Sequence, residues 1–128
     1  MKTISKVLLV DDEPMMRRIG AMSLERVGTF TVVLASNGLD AMAVAEREKP
    51  DLILLDVMMP DMDGLATLHK LRASEATSAI PVIFLTGKTE QQEVDEYLAA
   101  GAVGVIPKPF DPMTLPSQIH EILSTKTE

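Results

Sequence analysis

The sequence predicts an α/β fold of five βα units, wound into one parallel sheet with helices on both faces. Three observations predict it. Short apolar runs recur at Lys6–Val10, Phe30–Ala35, Asp51–Leu55, Pro81–Leu85 and Val103–Ile106. The first, third and fourth are almost unbroken Val, Ile and Leu, as in strands covered on both sides. Helical signals fill the intervals between the runs, and right-handed crossovers then make an open, doubly wound sheet.

Each helix carries its own punctuation. Pro14 suits a first helical turn and Gly28 a stop, and between them Met16, Ile19, Ser23 and Val27 recur at spacings of three and four, with Leu24 alongside. Asn37 is a cap for a second helix through Glu48, which turns Ala41, Met42 and Ala45 inward and ends before Pro50. Gly64 opens a third, striped by Leu65, Leu68 and Leu71. Thr89 and Gln92 form a capping box for a fourth, which Gly101 terminates. The fifth carries Leu115, Ile119, Ile122 and Leu123 to about Ser124. Its start has two readings. Either Asp111-Pro112 is cap and first turn, or the helix begins near Thr114, so that Pro116 falls in the first turn where its missing amide is harmless.

At 128 residues the chain has the length of one domain, residues 1–128 with a core of about 6–124. Its 46% hydrophobic and 24% charged residues describe a chain that buries a core. With no cysteine, disulfides, thiol catalysis and cysteine-ligated metals are excluded, which fits a reducing compartment. No apolar run approaches the roughly 18 residues of a membrane span, and the N-terminus is too short and polar for a signal peptide. A cytoplasmic protein without membrane contact is the expectation. Nineteen acidic against twelve basic residues, a net charge of −7, oppose direct nucleic-acid binding, and the 3% aromatic content opposes base stacking.

In such sheets ligands lie beyond the carboxyl ends of the strands. The first run ends in Asp11-Asp12 followed by Glu13, the third in Asp56, the fourth in Thr86, and the fifth leads into Lys108. Taken singly these residues have ordinary explanations. Asp12 would cap the first helix, Thr86 would be a turn hydroxyl and Lys108 a solvated surface group. Their joint occurrence at adjacent strand ends is harder to dismiss. Carboxylates crowded in a crevice repel unless a cation intervenes, and oxygen-only ligands suit a hard ion such as Mg2+. Three carboxylates, a divalent ion, an ammonium and a hydroxyl make a site for a phosphoryl group.

The sequence resembles the CheY-like receiver domain, the phosphoacceptor module of two-component response regulators. The resemblance rests on Val7–Pro14, Asp51–Gly64, Pro81–Gly87 and Gly101–Ala102 through Pro107-Lys108-Pro109-Phe110, and it spans roughly residues 6–124. It implies a flavodoxin-like strand order of 2-1-3-4-5, of which this family is a well-known example. It also implies that Asp56 receives the phosphoryl group, and that Asp11, Asp12, Asp56 and the Met58 backbone carbonyl hold Mg2+, or alternatively Mn2+. Lys108 and Thr86 would bind phosphoryl oxygens, Gly87 would leave room for the group to enter, and the bond before Pro109 would be cis. The implied donor is a sensor histidine kinase or a histidine phosphotransfer protein. The implied readers are a downstream protein or a covalently linked output domain, acting on the surface of helix 4, strand 5 and helix 5. The chain would be a regulatory phosphoacceptor that catalyses only its own phosphorylation and dephosphorylation.

One position departs from the family pattern. Many receivers carry Tyr or Phe three residues before the lysine, and here that position is Val105. Activation must then be expressed through backbone shifts or other contacts, with Tyr97 expected nearby. Met58 and Lys88, two residues after Asp56 and Thr86, are positions that tune dephosphorylation in the family, and Met58 has no group to orient a water. Two other readings compete with this one. A phosphorylation-independent pseudo-receiver is opposed by intact Asp12, Asp56, Thr86 and Lys108. A haloacid-dehalogenase-type phosphatase built on Asp61-Met62-Asp63-Gly64 is opposed because that motif does not directly follow a strand. Arg17-Arg18 reads as a solvated face, or as a dock for an acidic partner helix, and His69 and His120 read as surface or boundary residues.

Overall fold

Five strands carry the chain's most apolar segments in a computed structural model that describes residues 4–59 and 62–126. They are β1 (Lys6–Val10), β2 (Thr31–Ala35), β3 (Leu52–Asp56), β4 (Val82–Thr86) and β5 (Gly104–Pro107), all parallel and ordered β2-β1-β3-β4-β5. The helices are α1 (Pro14–Met22), α2 (Gly38–Glu48), α3 (Gly64–Ala73), α4 (Gln91–Ala99) and α5 (Leu115–Lys126). This is the doubly wound sheet that the sequence predicts, in the strand order that the resemblance implies.

Alternation along the central strands divides the core in two. Leu8, Val10, Ile53, Leu55, Val82 and Phe84 face one layer and meet Ala41, Ala45, Leu68, Leu71 and Tyr97 from α2, α3 and α4. Val7, Leu9, Leu52, Leu54, Ile83 and Leu85 face the other and meet Leu24, Leu115 and Ile119. Successive side chains of a strand point to opposite faces, so a strand between two helix layers must be apolar throughout. β3 and β4 are buried at every residue, including the polar Asp56 and Thr86 at their ends.

Several boundaries differ from expectation. β3 and β4 run one residue further than their apolar runs, because the ladder extends through Asp56 and Thr86. Phe30 lies before β2 yet is buried in the second core layer. The first helix does not continue regularly to Gly28. It widens into a π turn over Ser23–Val27, where the Gly28 N–H donates to the Ser23 carbonyl. The wider turn rotates Val27 out of the predicted stripe to 42% exposure, while Leu24 stays fully buried. α4 begins at Gln91 with Glu90 at its cap position and no side-chain cap, so the Thr89–Gln92 capping box does not form. The Gln91 side chain instead donates to Asp95 within the helix. α5 begins at Leu115, which places the buried Pro116 in its first turn and settles the choice between its two starts.

The predicted Asn37 cap is present, its side chain accepting from the Asp40 N–H at 2.8 Å. Asp63 caps α3 in the same way through the Ala66 N–H. Gly101, with φ of +117°, ends α4 in backbone that an L side chain rarely adopts.

Candidate functional site

The acidic residues are placed by the ends of β1 and β3, which pair in register from Val7–Leu52 to Val10–Leu55. Parallel pairing in that register brings the next residues, Asp11 and Asp56, to the same edge of the sheet. Asp11, Asp12 and Asp56 each offer a carboxylate oxygen, and these oxygens lie within 4.8 Å of one another. Asp11 and Asp56 are buried, while Asp12 is exposed. Asp12 does not cap α1. Glu13 takes the cap position without a side-chain bond, and Asp11 Oδ1 accepts the Glu13 N–H at 3.0 Å.

Lys108 enters from the end of β5. Its Nζ lies 3.1 Å from Asp11 Oδ2 and 3.4 Å from Asp56 Oδ2, and the Lys108–Pro109 bond is cis. The Lys108 N–H donates to the Thr86 carbonyl at 2.9 Å, which ties this loop to the end of β4. The Thr86 hydroxyl, 1% exposed, accepts the Lys88 N–H at 2.9 Å, and so keeps its own O–H to donate. Gly87 is exposed, and a Cβ there would meet only the Lys108 carbonyl at 3.9 Å. The Met58 N–H donates to Asp56 Oδ1 at 3.2 Å, while the Met58 side chain is 59% exposed. Pro60 and Asp61 lie outside the described residues.

The electrostatics follow from this crowding. Burial raises the Asp56 carboxyl above its ordinary value. Lys108 opposes the rise, Asp11 adds to it, the Met58 N–H opposes it and Asp12 adds to it, and the result is about 6. For Lys108 burial alone would lower the ammonium, but the hydrogen bonds and charges of Asp11 and Asp56 prevail and hold it above the lysine norm. With all three carboxylates ionised, one ammonium leaves two negative charges uncompensated among these four groups. The donor set is oxygen only, and ligand oxygens around a bound Mg2+ sit about 3–4 Å apart given its bonds of about 2.1 Å. In number and type these residues fit a small hard divalent ion, and oxygens within 4.8 Å of one another need only a small inward movement to meet it.

One residue of the site differs from its sequence reading. Arg17 is half-buried rather than a solvated face, and its Nη1 donates to the Asp11 carbonyl at 2.7 Å. Arg18 is exposed as expected. A basic residue following the Asp11–Glu13 acidic stretch was the available signal, but spacing does not say which way a long side chain folds back. Gly64 also belongs to the site's frame. A Cβ there would lie 2.8 Å from the Val57 Cα and 2.9 Å from the Asp56 carbonyl, so α3 can start this close to β3 only with glycine.

The chain is similar to known proteins along most of its length. Residues 7–120 match the response regulator receiver domain family. Protein PilH of Pseudomonas aeruginosa is 40% identical over 124 residues, covering 94% of this chain and 99% of its own length. The alkaline phosphatase synthesis transcriptional regulatory protein PhoP of Bacillus subtilis is 39% identical over 92% of this chain. The chain spans 48% of that relative's length and 43% of that of TcrX of Mycobacterium tuberculosis, a probable transcriptional regulatory protein. Among solved structures, the chemotaxis response regulator CheY4 of Vibrio cholerae superposes with a TM-score of 0.86 at 33% identity, covering 94% of this chain and 99% of that one. A family match over most of the sequence, on the same five-stranded sheet, makes the chain a member of the CheY-like response regulator receiver domains of two-component systems.

Proposed function

We propose that Asp56 accepts a phosphoryl group from the phosphohistidine of a sensor kinase or phosphotransfer protein, and that the chain, residues 1–128 with a core of 6–124, works as one receiver unit. The observation that carries this reading is the convergence of Asp11, Asp12 and Asp56 with the Lys108 ammonium at one edge of the sheet. Asp11, Asp12, Asp56 and the Met58 carbonyl would hold Mg2+, or Mn2+ in its place. Bound there, the ion would supply the positive charge that lets phosphoryl oxygens approach a carboxylate cluster.

The chain's own groups do the rest. The Met58 N–H fixes Asp56 Oδ1, which leaves Oδ2 on the side of Lys108. A carboxylate is a weak nucleophile, so positioning for in-line attack supplies most of the acceleration. As an Asp56 oxygen bonds to phosphorus, the donor's P–N bond breaks and its electron pair returns to the imidazole nitrogen. Lys108 pairs with a phosphoryl oxygen while keeping Asp11, and Gly87 leaves the approach open. Because the reaction modifies the chain itself, the role is regulatory.

Thr86 links this event to the surface. Its hydroxyl closes a turn with Lys88, two residues before the Glu90 cap of α4. Moving that hydroxyl toward a phosphoryl oxygen opens the turn at the root of α4 and biases the α4–β5–α5 face that a downstream protein or linked output domain reads. Val105 has no ring to follow Thr86 inward. Tyr97 of α4 is already buried against Phe84, ring centroids 5.2 Å apart, so the signal passes through backbone and this contact.

The test is incubation with acetyl phosphate, with and without Mg2+, followed by intact mass measurement. The expected result is one added phosphoryl group that needs the metal and is lost in Asp56→Ala. An unchanged mass with Mg2+ present would favour a phosphorylation-independent interaction module.

A further inference from the structure

The loop that carries Lys108 is anchored at both ends. Its front end is the Lys108 N–H bond to the Thr86 carbonyl. Its rear end is Pro112, whose carbonyl accepts the Ser23 hydroxyl at 2.5 Å, although the two residues are 89 positions apart. Pro109 and Pro112 have no N–H, so neither position can tie this loop through a backbone donor of its own.

Ser23 is 3% exposed and sits where α1 changes character. Its N–H still donates within α1 to the carbonyls of Ile19 and Gly20, while its own carbonyl takes the longer π-type bond from Gly28. The same helix face touches the same loop one turn earlier. A Cβ at Gly20 would lie 2.7 Å from Leu9 Cδ2 and 3.5 Å from the Phe110 ring. The close approach at Gly20 is to Leu9, with Phe110 of the loop beside it, and the Ser23 hydroxyl in the π turn reaches Pro112. π turns inside helices often mark functional positions, and this one is built around a buried hydroxyl.

We propose that Ser23 is a positioning residue for Lys108, holding the rear of its loop so that the ammonium stays between Asp11 and Asp56. The inference rests on the function proposed above and adds a buried residue at the end of α1 to the machinery. Pro112 itself is exposed, so without the buried Ser23 hydroxyl its carbonyl is free to turn to water and the rear of the loop is released. Misplacement of a charged group by a fraction of an ångström weakens its contact with a transferred phosphoryl group.

The test compares rates of Mg2+-dependent phosphorylation by acetyl phosphate in the full chain. Ser23→Ala should slow the reaction about tenfold, the lower end of what supporting contacts are worth. Ser23→Cys fills the same space but donates weakly, and should be slowed similarly. Mn2+ affinity, read by electron paramagnetic resonance, should stay within about twofold in both, because Lys108 is not a metal ligand. The decisive comparison is a double-mutant cycle. In a Lys108→Gln background, Ser23→Ala should change the residual rate by less than about twofold, since the residue it positions is gone. The proposal is overturned by an undiminished rate in both Ser23 variants, or by the same loss in both backgrounds. Failure of the unmodified chain to become phosphorylated would instead overturn the function on which the inference rests.

Discussion

Burial is the largest influence on the Asp56 carboxyl, and it works against the charge that the proposed chemistry needs. Because the folded state holds its proton up to about pH 6, against an ordinary value of 3.8, the native apo chain binds more protons than the unfolded chain between those values. Stability of the apo protein therefore falls as pH rises through that window, and the full penalty is present at neutral pH. Asp56→Asn should stabilise the metal-free protein at pH 7 by up to about 3 kcal/mol, and the gain should vanish below about pH 4. Urea melts of both proteins at the two pH values check this; equal midpoints at pH 7 would contradict it. Asp12 is the complementary case. It is exposed, so Asp12→Asn should change stability by no more than about 0.5 kcal/mol while weakening Mn2+ binding by about tenfold or more. Met58, exposed and without a hydrogen-bonding side chain, leaves a water near Asp56 unoriented. The aspartyl phosphate should last minutes or longer with Mg2+, and decay within seconds would count against that role.

At the scale of elements, what holds the pocket is the start of each segment that follows a strand. Gly64→Ala would push a methyl group against the Asp56 carbonyl and the Val57 backbone, which cannot give way as a flexible side chain would. The expected loss is about 1–3 kcal/mol of stability, with a matching fall in phosphorylation rate; a fully stable, fully active variant would show that α3 can retreat without disturbing β3. Elements were legible in the sequence because strand and helix periods differ and because Asn37, Pro50 and Gly101 act locally. The π turn was not. Met16, Ile19, Ser23 and Val27 keep helical spacing whether or not the backbone widens, and only the Gly28-to-Ser23 bond distinguishes the two. The Thr89–Gln92 pattern failed for a similar reason: the start of α4 follows the turn that Thr86 makes with Lys88, which lies upstream of the motif.

Across the whole molecule, parallel strands send all their carboxyl ends to one edge, so Asp11, Asp56, Thr86 and Lys108 could be read as neighbours before any distance was known. Distances and burial were not legible, since the folding back of Arg17 onto the Asp11 carbonyl and the partial compensation of three carboxylates by one lysine depend on side-chain paths. The same charge imbalance makes a global prediction. A cation that binds only the folded chain stabilises it by about 2.7 kcal/mol at a hundred times its Kd. For a chain of this length that is a Tm rise of roughly 10 °C, reversible by a chelator; calorimetry showing no rise at any Mg2+ concentration would contradict it. Asp56, and no other carboxylate, is the proposed carrier of the phosphoryl group. Treating the phosphorylated chain with borohydride, which reduces an acyl phosphate to an alcohol, and sequencing its peptides by mass tests it most directly. Homoserine is expected at residue 56 alone; reduction at Asp11, Asp12 or elsewhere, with residue 56 intact, would overturn that assignment.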